Sequence, residues 1–183
     1  MIYLYNVLAK SGLSDYQIKK KVEVGELYMI QKGVYSTTKE YNYFDYIARK
    51  HPNAVFTLET ACYCYGLLKE EPSIYKVATK QKDRKMKEEN IKQIFMTDTL
   101  YYLGINTITF QNVAIQIYDL ERLLIDVVRN KTNIEYNTYK QIIKSYQRLA
   151  KLLNKKRLAE YLPFFKDPRI LERIEREVYQ VED

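Results

Sequence analysis

The sequence predicts an α+β fold in two parts, and three observations carry that reading. Near the start, a capped helix is followed at once by two short apolar runs flanking a tight turn. In the middle, segments of alternating polarity fall at 73–79, 91–96, 105–110 and 113–118, which is the spacing of strands. In the last third, apolar residues recur at helical spacing in successive segments. The parts are an N-terminal domain over 1–50 and a mixed α/β domain over 51–183 whose C-terminal half is helical.

The N-terminal part is organised around Gly12–Tyr35, GLSDYQIKKKVEVGELYMIQKGVY. Ser14 is a good N-cap, and Gln17 lies three residues later, where a capping box wants Glu or Gln. The helix then spans about Asp15–Val24 and stops at Gly25, suited to the left-handed position past a helix end. Ile18 and Val22 lie one turn apart and form its inward stripe. Tyr16 and Lys20 point away from that stripe, with Gln17 beside them and Lys19 and Lys21 nearer its edges. Glu26–Ile30 and Val34–Thr37 read as strands around Gln31-Lys32-Gly33, which puts Lys32 at the tip of a hairpin. Ahead of the turn, Tyr3–Lys10 reads as a helix with Leu4, Val7 and Leu8 inward. Helix, turn, helix and two-stranded wing is the winged helix-turn-helix layout, whose second helix enters the DNA major groove. The expected DNA-binding residues are Ser14, Tyr16, Gln17, Lys19, Lys20, Lys21 and Lys32. The alternative is a helix and hairpin whose lysines are only solvated.

The next helices fall at 38–50, with Tyr43, Phe44 and Ile47 inward, and at 57–65, where Thr57 is a candidate N-cap and Gly66 the stop. The segment 80–90, with Lys80, Lys82, Arg84, Lys85 and Lys87, reads as a mobile loop or exposed basic arm. Gln111-Asn112 is a hairpin turn. Asp119 caps a thoroughly apolar helix to about Arg129. In it Arg122 and Asp126, four apart, form the expected structural ion pair. A helix over 135–154 buries Tyr139, Ile142, Ile143, Tyr146, Leu149, Ala150 and Leu153. On its other side Lys140, Lys144, Arg148, Lys151 and Lys155 fall within about 80° on a helical wheel. Few acids share that stripe, so these five are candidate nucleic-acid backbone contacts, set against a solvated helix face. A short helix covers 155–162, and Asp167-Pro168 launches a last one to about Val181.

Net charge is +7 over 183 residues and the isoelectric point about 9.1, which favours nucleic acid or another anionic partner. There is no apolar run of about 18 residues and no signal-peptide pattern, so the expectation is a cytoplasmic protein with no membrane partner. Cys62 and Cys64 point to different faces of a helix, and with one histidine they cannot build a structural zinc site. No phosphate loop and no nucleophile motif is present. No cofactor, no metal and no catalytic residue is expected. A less favoured reading is a nucleic-acid-acting enzyme centred on Glu121, Arg122 and Asp126.

Three stretches resemble the AbiEi family, the antitoxins of type IV abortive-infection toxin–antitoxin systems: Lys32-Gly33-Val34-Tyr35, the run TLETACYCYGL over Thr57–Leu67, and the run IYDLERLLIDVVR over Ile117–Arg129. They occur in the family's order. The resemblance implies a winged helix that represses the operon at inverted repeats in double-stranded operator DNA, and a C-terminal domain needed for antitoxicity. It also implies a nucleotidyltransferase-like toxin, opposed without a stable protein complex. The alternative is a winged-helix regulator with a partner- or ligand-sensing C-terminal domain and no toxin.

Overall fold

In the computed structural model, which describes residues 1–180, the chain is a mixed α/β protein with two sheets and two compact units. The first unit is Met1–Ala54 together with Thr109–Ile115; the second is Val55–Ile108 and the chain from Gln116 onward.

The first unit begins with a strand, β1 (Ile2–Leu4), and continues into α1 (Tyr5–Lys10) and α2 (Asp15–Glu23). The capping box of α2 is formed: the Gln17 amide donates to Ser14 Oγ at 3.3 Å, and the Ser14 amide donates to Gln17 Oε1 at 2.8 Å. Both helices end in the same way. Past α2, the Glu26 amide reaches back to Lys21 O at 2.9 Å and the Gly25 amide to Val22 O at 3.2 Å; past α1, Leu13 bonds Leu8 and Gly12 bonds Ala9. That pattern needs a left-handed residue, and Gly12 and Gly25 supply φ of 92° and 77°. Strands β2 (Tyr28–Gln31) and β3 (Val34–Ser36) close over the two-residue turn Lys32-Gly33. β1 adds to the other edge of β3, antiparallel, with Tyr3 opposite Tyr35. Leu8, Ile18 and Leu27 form the core, with Tyr3, Leu13, Val22 and Tyr35 around them.

This corrects the expected helix over Tyr3–Lys10. Ile2–Leu4 is drawn into β pairing, Ile2 is fully buried, and its amide donates to Asp45 Oδ2 at 3.0 Å. The helix begins only at Tyr5, and Val7 is exposed rather than inward. The next helix, α3 (Tyr43–Lys50), is also shorter than 38–50, because Asn42 caps it by accepting from the amides of Phe44 and Asp45. Within this unit the hairpin tip at 109–115 is held by Phe110 edge-on to Phe44 and by Asn42 donating to Gln111 at 2.9 Å.

The larger sheet has five strands in the order β6-β5-β4-β8-β7: β4 (Val55–Phe56), β5 (Tyr75–Lys80), β6 (Ile91–Met96), β7 (Ile105–Phe110) and β8 (Val113–Tyr118), all in the second unit except the end of β7 and the start of β8 within Thr109–Ile115. β5 runs parallel to β6 and antiparallel to β4, and β4 is parallel to β8. The turn between β7 and β8 has Gln111 and Asn112 both at positive φ, as a primed hairpin turn requires. Val55, Ala78, Tyr101 and Tyr118 form a core cluster with Met96 and Ile105 against it.

Helices α4 (Leu58–Cys64), α5 (Asp98–Tyr102), α6 (Leu120–Arg129), α7 (Tyr136–Leu149), α8 (Lys155–Tyr161) and α9 (Arg169–Ile174) complete the unit. Every residue of α6 from Glu121 to Val128 is buried, so this helix is the centre of the unit's helical layer. α9 continues as a π-helical stretch over Glu175–Tyr179; Glu182, Asp183 and the expected end of this helix at Val181 lie outside the described residues.

Helix α7 stops at Leu149 rather than continuing to 154. Asn154 is the reason. Its side chain caps α8 by accepting from the Arg157 amide at 3.0 Å, and its own amide donates to Glu121 Oε1 at 2.7 Å. The chain therefore turns between Ala150 and Asn154, burying Leu153 and leaving Leu152 79% exposed.

Candidate functional site

The residues expected to meet DNA all lie in the first unit, and the structure gives them different freedom. Tyr16 is 73% exposed, and Lys19, Lys20 and Lys32 are exposed as well. Ser14 and Gln17 are exposed, but the Gln17 carbonyl oxygen is held by the Ser14 amide and hydroxyl, which leaves chiefly its amide nitrogen for a base edge. Lys21 forms an ion pair with Glu26, so part of its charge is compensated before any phosphate arrives. The face offered outward is therefore Tyr16, Lys19 and Lys20, on a helix whose opposite side is Ile18, 2% exposed.

The basic residues of the second unit do not form one helical stripe. Lys140, Lys144 and Arg148 lie on α7 and are exposed, whereas Lys151 is in the turn after it and Lys155 opens α8. A wheel that groups all five requires a continuous helix, and the Asn154 cap ends that continuity. Beside α7 is an open groove of about 1050 Å³ whose lining includes Lys131, Lys140, Lys144 and Arg176. Its one lining acid, Glu177, is already engaged by Lys131 at 2.9 Å and by the Tyr139 hydroxyl at 2.6 Å. Burial opposes ionisation of Glu177, but those two contacts hold its carboxyl below the ordinary glutamate value. The groove thus presents net positive charge with exposed Tyr136 along it, under the Lys140 ammonium. In the 80–90 segment Lys82, Arg84, Lys85 and Lys87 are exposed and Lys80 is half-buried, and the Gln93 side chain pins the segment by accepting from the Met86 amide and donating to Arg84 O.

Arg122 and Asp126 meet inside the second unit. Arg122 is fully buried, and its Nε donates to Asp126 Oδ2 at 3.1 Å. Arg122 Nη1 donates to Leu100 O at 2.6 Å and Leu103 O at 2.9 Å, and the guanidinium lies over the Tyr118 ring at 4.4 Å. Burial pushes the Asp126 carboxyl up, and Arg122 works against that rise. Arg129 stands 3.9 Å from Asp126 Oδ1, too far for a hydrogen bond. Glu121 serves elsewhere, as acceptor for the Asn154 amide at the start of α8.

Sequence reasoning missed the role of Thr57. It precedes α4 in the N-cap position, yet its hydroxyl makes no cap bond; it is fully buried and lines a small pocket with Asp126. Its neighbour Leu58 has φ of 49°, a conformation that L-residues rarely adopt. No sequence signal separates a capping threonine from one turned inward. Two of the stretches that carry the family resemblance, those starting at Thr57 and Ile117, both reach this pocket.

Cys62 and Cys64 are both free thiols, and burial pushes Cys64 up to about 12, the opposite of what a thiolate nucleophile needs. Among the described residues, no group of three or more His, Cys, Asp or Glu side chains is placed to hold a metal ion. No described helix is long and apolar enough to cross a membrane.

No protein-family model matches the chain, and no curated protein matches it. Among solved structures it is similar to the RV2827C protein from Mycobacterium tuberculosis, with a TM-score of 0.65 at 12% identity, over 98% of this chain and 71% of that one. At that identity the likeness carries the fold alone.

Proposed function

We propose that the first unit is a winged helix-turn-helix that binds duplex DNA, with α2 as the recognition helix and the β2–β3 hairpin as the wing. The observation that carries this reading is the outward face of α2, where Tyr16, Lys19 and Lys20 are exposed on a helix anchored by Ile18, with Lys32 exposed at the turn of the adjoining hairpin. Tyr16, Lys20 and the free amide nitrogen of Gln17 would reach base edges; Lys19, Lys32 and the partly paired Lys21 would position the phosphate backbone. The formed cap at Ser14 keeps the start of the helix rigid where bases are read.

The family resemblance supports the larger reading: a cytoplasmic antitoxin of a type IV system that represses its own operon at inverted repeats. Its second unit carries antitoxicity against a nucleotidyltransferase-like toxin without a stable complex. In this reading the chain is not an enzyme. Two experiments test it. Band-shift titration of the full chain on the duplex upstream of its own gene should show a specific complex that a scrambled duplex of equal length does not form at the same salt. Equal affinity for both ends the operator reading. Expressing the neighbouring gene alone and together with this one should show arrest and rescue; arrest without rescue ends the antitoxin reading.

A further inference from the structure

The groove beside α7 has fixed walls. One is α7 itself, and the other is the π-helical stretch after α9. Glu177 ties them together. Its carboxylate accepts from the Tyr139 hydroxyl at 2.6 Å and from Lys131 at 2.9 Å, and its backbone carbonyl accepts from the Gln147 side chain at 2.9 Å. The lining runs along α7 from Tyr136 to Gln147, about 16 Å at the helical rise. The trough is therefore formed before any ligand arrives.

Its charge is one-sided. Lys131, Lys140, Lys144 and Arg176 line it against the single carboxylate of Glu177. Lys131 and Arg176 share that carboxylate, at 2.9 Å and 3.6 Å. Lys140 and Lys144 are exposed and meet no acid among the described residues. Tyr136, Lys140 and Lys144 recur every fourth residue, so they stand in a row on one helix face, about 6 Å apart. Tyr136 is 64% exposed, with the Lys140 ammonium 4.9 Å from its ring centroid. Asn137 and Gln141, exposed on the same groove, add amide donors and acceptors.

A row of cations with an aromatic ring at one end, set in a trough, matches a nucleic-acid strand whose bases are unpaired. Its phosphates follow one another along the lysines, and a base released from pairing stacks on a tyrosine ring. A duplex meets only half of that description, because its bases are stacked on each other and offer the ring no face. An acidic peptide supplies the charge without the planar bases. We propose that this groove binds single-stranded nucleic acid, with one base on Tyr136 and successive phosphates on Lys140 and Lys144. The site lies within the second unit and is separate from duplex recognition by α2.

Fluorescence anisotropy of the full chain with a labelled single strand of about 12 nucleotides tests this. The strand binds with a Kd below about 100 µM at physiological salt. Tyr136→Ala weakens it about fivefold or more, and Tyr136→Phe keeps it, because the ring and not the hydroxyl makes the stack. Changing Lys140→Gln and Lys144→Gln together flattens the slope of log affinity against log salt by about 1.4 units, at about 0.7 for each phosphate on a single strand. Tyr136→Ala leaves affinity for a duplex unmoved, and Lys20→Ala leaves affinity for the single strand unmoved. All these side chains are exposed, so each variant keeps its melting temperature within about a degree of the parent. Failure of the strand to bind overturns the proposal. Binding that neither Tyr136→Ala nor the lysine pair weakens overturns the location. An equal loss on duplex and single strand, or a loss with Tyr136→Phe as large as with Tyr136→Ala, overturns the stacked base. Polyglutamate that displaces the strand as well as unlabelled strand does makes the groove a general polyanion site and overturns the nucleic-acid reading.

Discussion

Gly104 stands where no side chain can, because a Cβ built there falls 2.7 Å from the Cβ of Arg122. Its φ of 77° already belongs to glycine, and its carbonyl accepts from the amide of Asp119, the residue that caps α6. The turn after α5 is thereby pressed onto the stem of the buried arginine. Gly104→Ala should destabilise the protein by about 2–4 kcal/mol, joining left-handed strain to overpacking. Gly12→Ala is the control: φ there is 92° but nothing lies within 4 Å of an added Cβ, so only the strain remains, about 1–2 kcal/mol. Urea unfolding of the two variants measures the difference, and equal losses would contradict the contact.

Lys20→Ala should weaken specific operator binding by about 1–3 kcal/mol while leaving the melting temperature within about a degree of the parent. The basis is its exposure opposite Ile18. Unchanged affinity in a band-shift titration at fixed salt removes Lys20 from the interface.

The shorter α7 sharpens the expectation for the second basic surface. Lys140, Lys144 and Arg148 share one exposed helix face next to the groove, so they are the set to change together. If all three meet phosphates on duplex DNA, replacing them with Gln should flatten the slope of log affinity against log salt by about 2–3 units and keep sequence preference. A slope that does not move means this face does not touch DNA.

Glu177 ties the segment after α9 to Lys131 and Tyr139. Its carboxyl is held below the usual value, so its contribution is present above the unfolded-state value of about 4.3 and is lost as pH falls through the lower, folded-state value. Glu177→Gln should therefore lower the melting temperature at pH 7, with the deficit shrinking as the pH drops below about 4.3. A deficit that is the same at both ends of that range would show that the charge is not what holds the segment.

Much of the fold is legible locally. Ser14 with Gln17, Gly25 after the last turn, Asp119 before an apolar run and Gln111-Asn112 between two strands are signals in which a residue acts on neighbours a few positions away. The misreadings have the opposite cause. Ile2–Leu4 shares a helix-like apolar spacing with Tyr5–Lys10, but its hydrogen-bond partner is β3, about thirty residues along the chain. Asn154 reads as an ordinary polar position in a long helix, and it ends that helix because Glu121, from α6, takes its amide.

The sequence by itself determined that the chain is mixed α/β, where most helices start and stop, and that Tyr16 and Lys20 would stand opposite Ile18, since each of these comes from periodicity and capping within one segment. Tertiary structure alone decided that Thr57 would face Asp126 instead of capping its helix, that Arg122 would spend its donors on Leu100 and Leu103, and that the basic residues after Leu149 would leave the stripe. Those outcomes turn on which donor reaches which acceptor once distant segments are packed together, and local spacing carries no information about that competition.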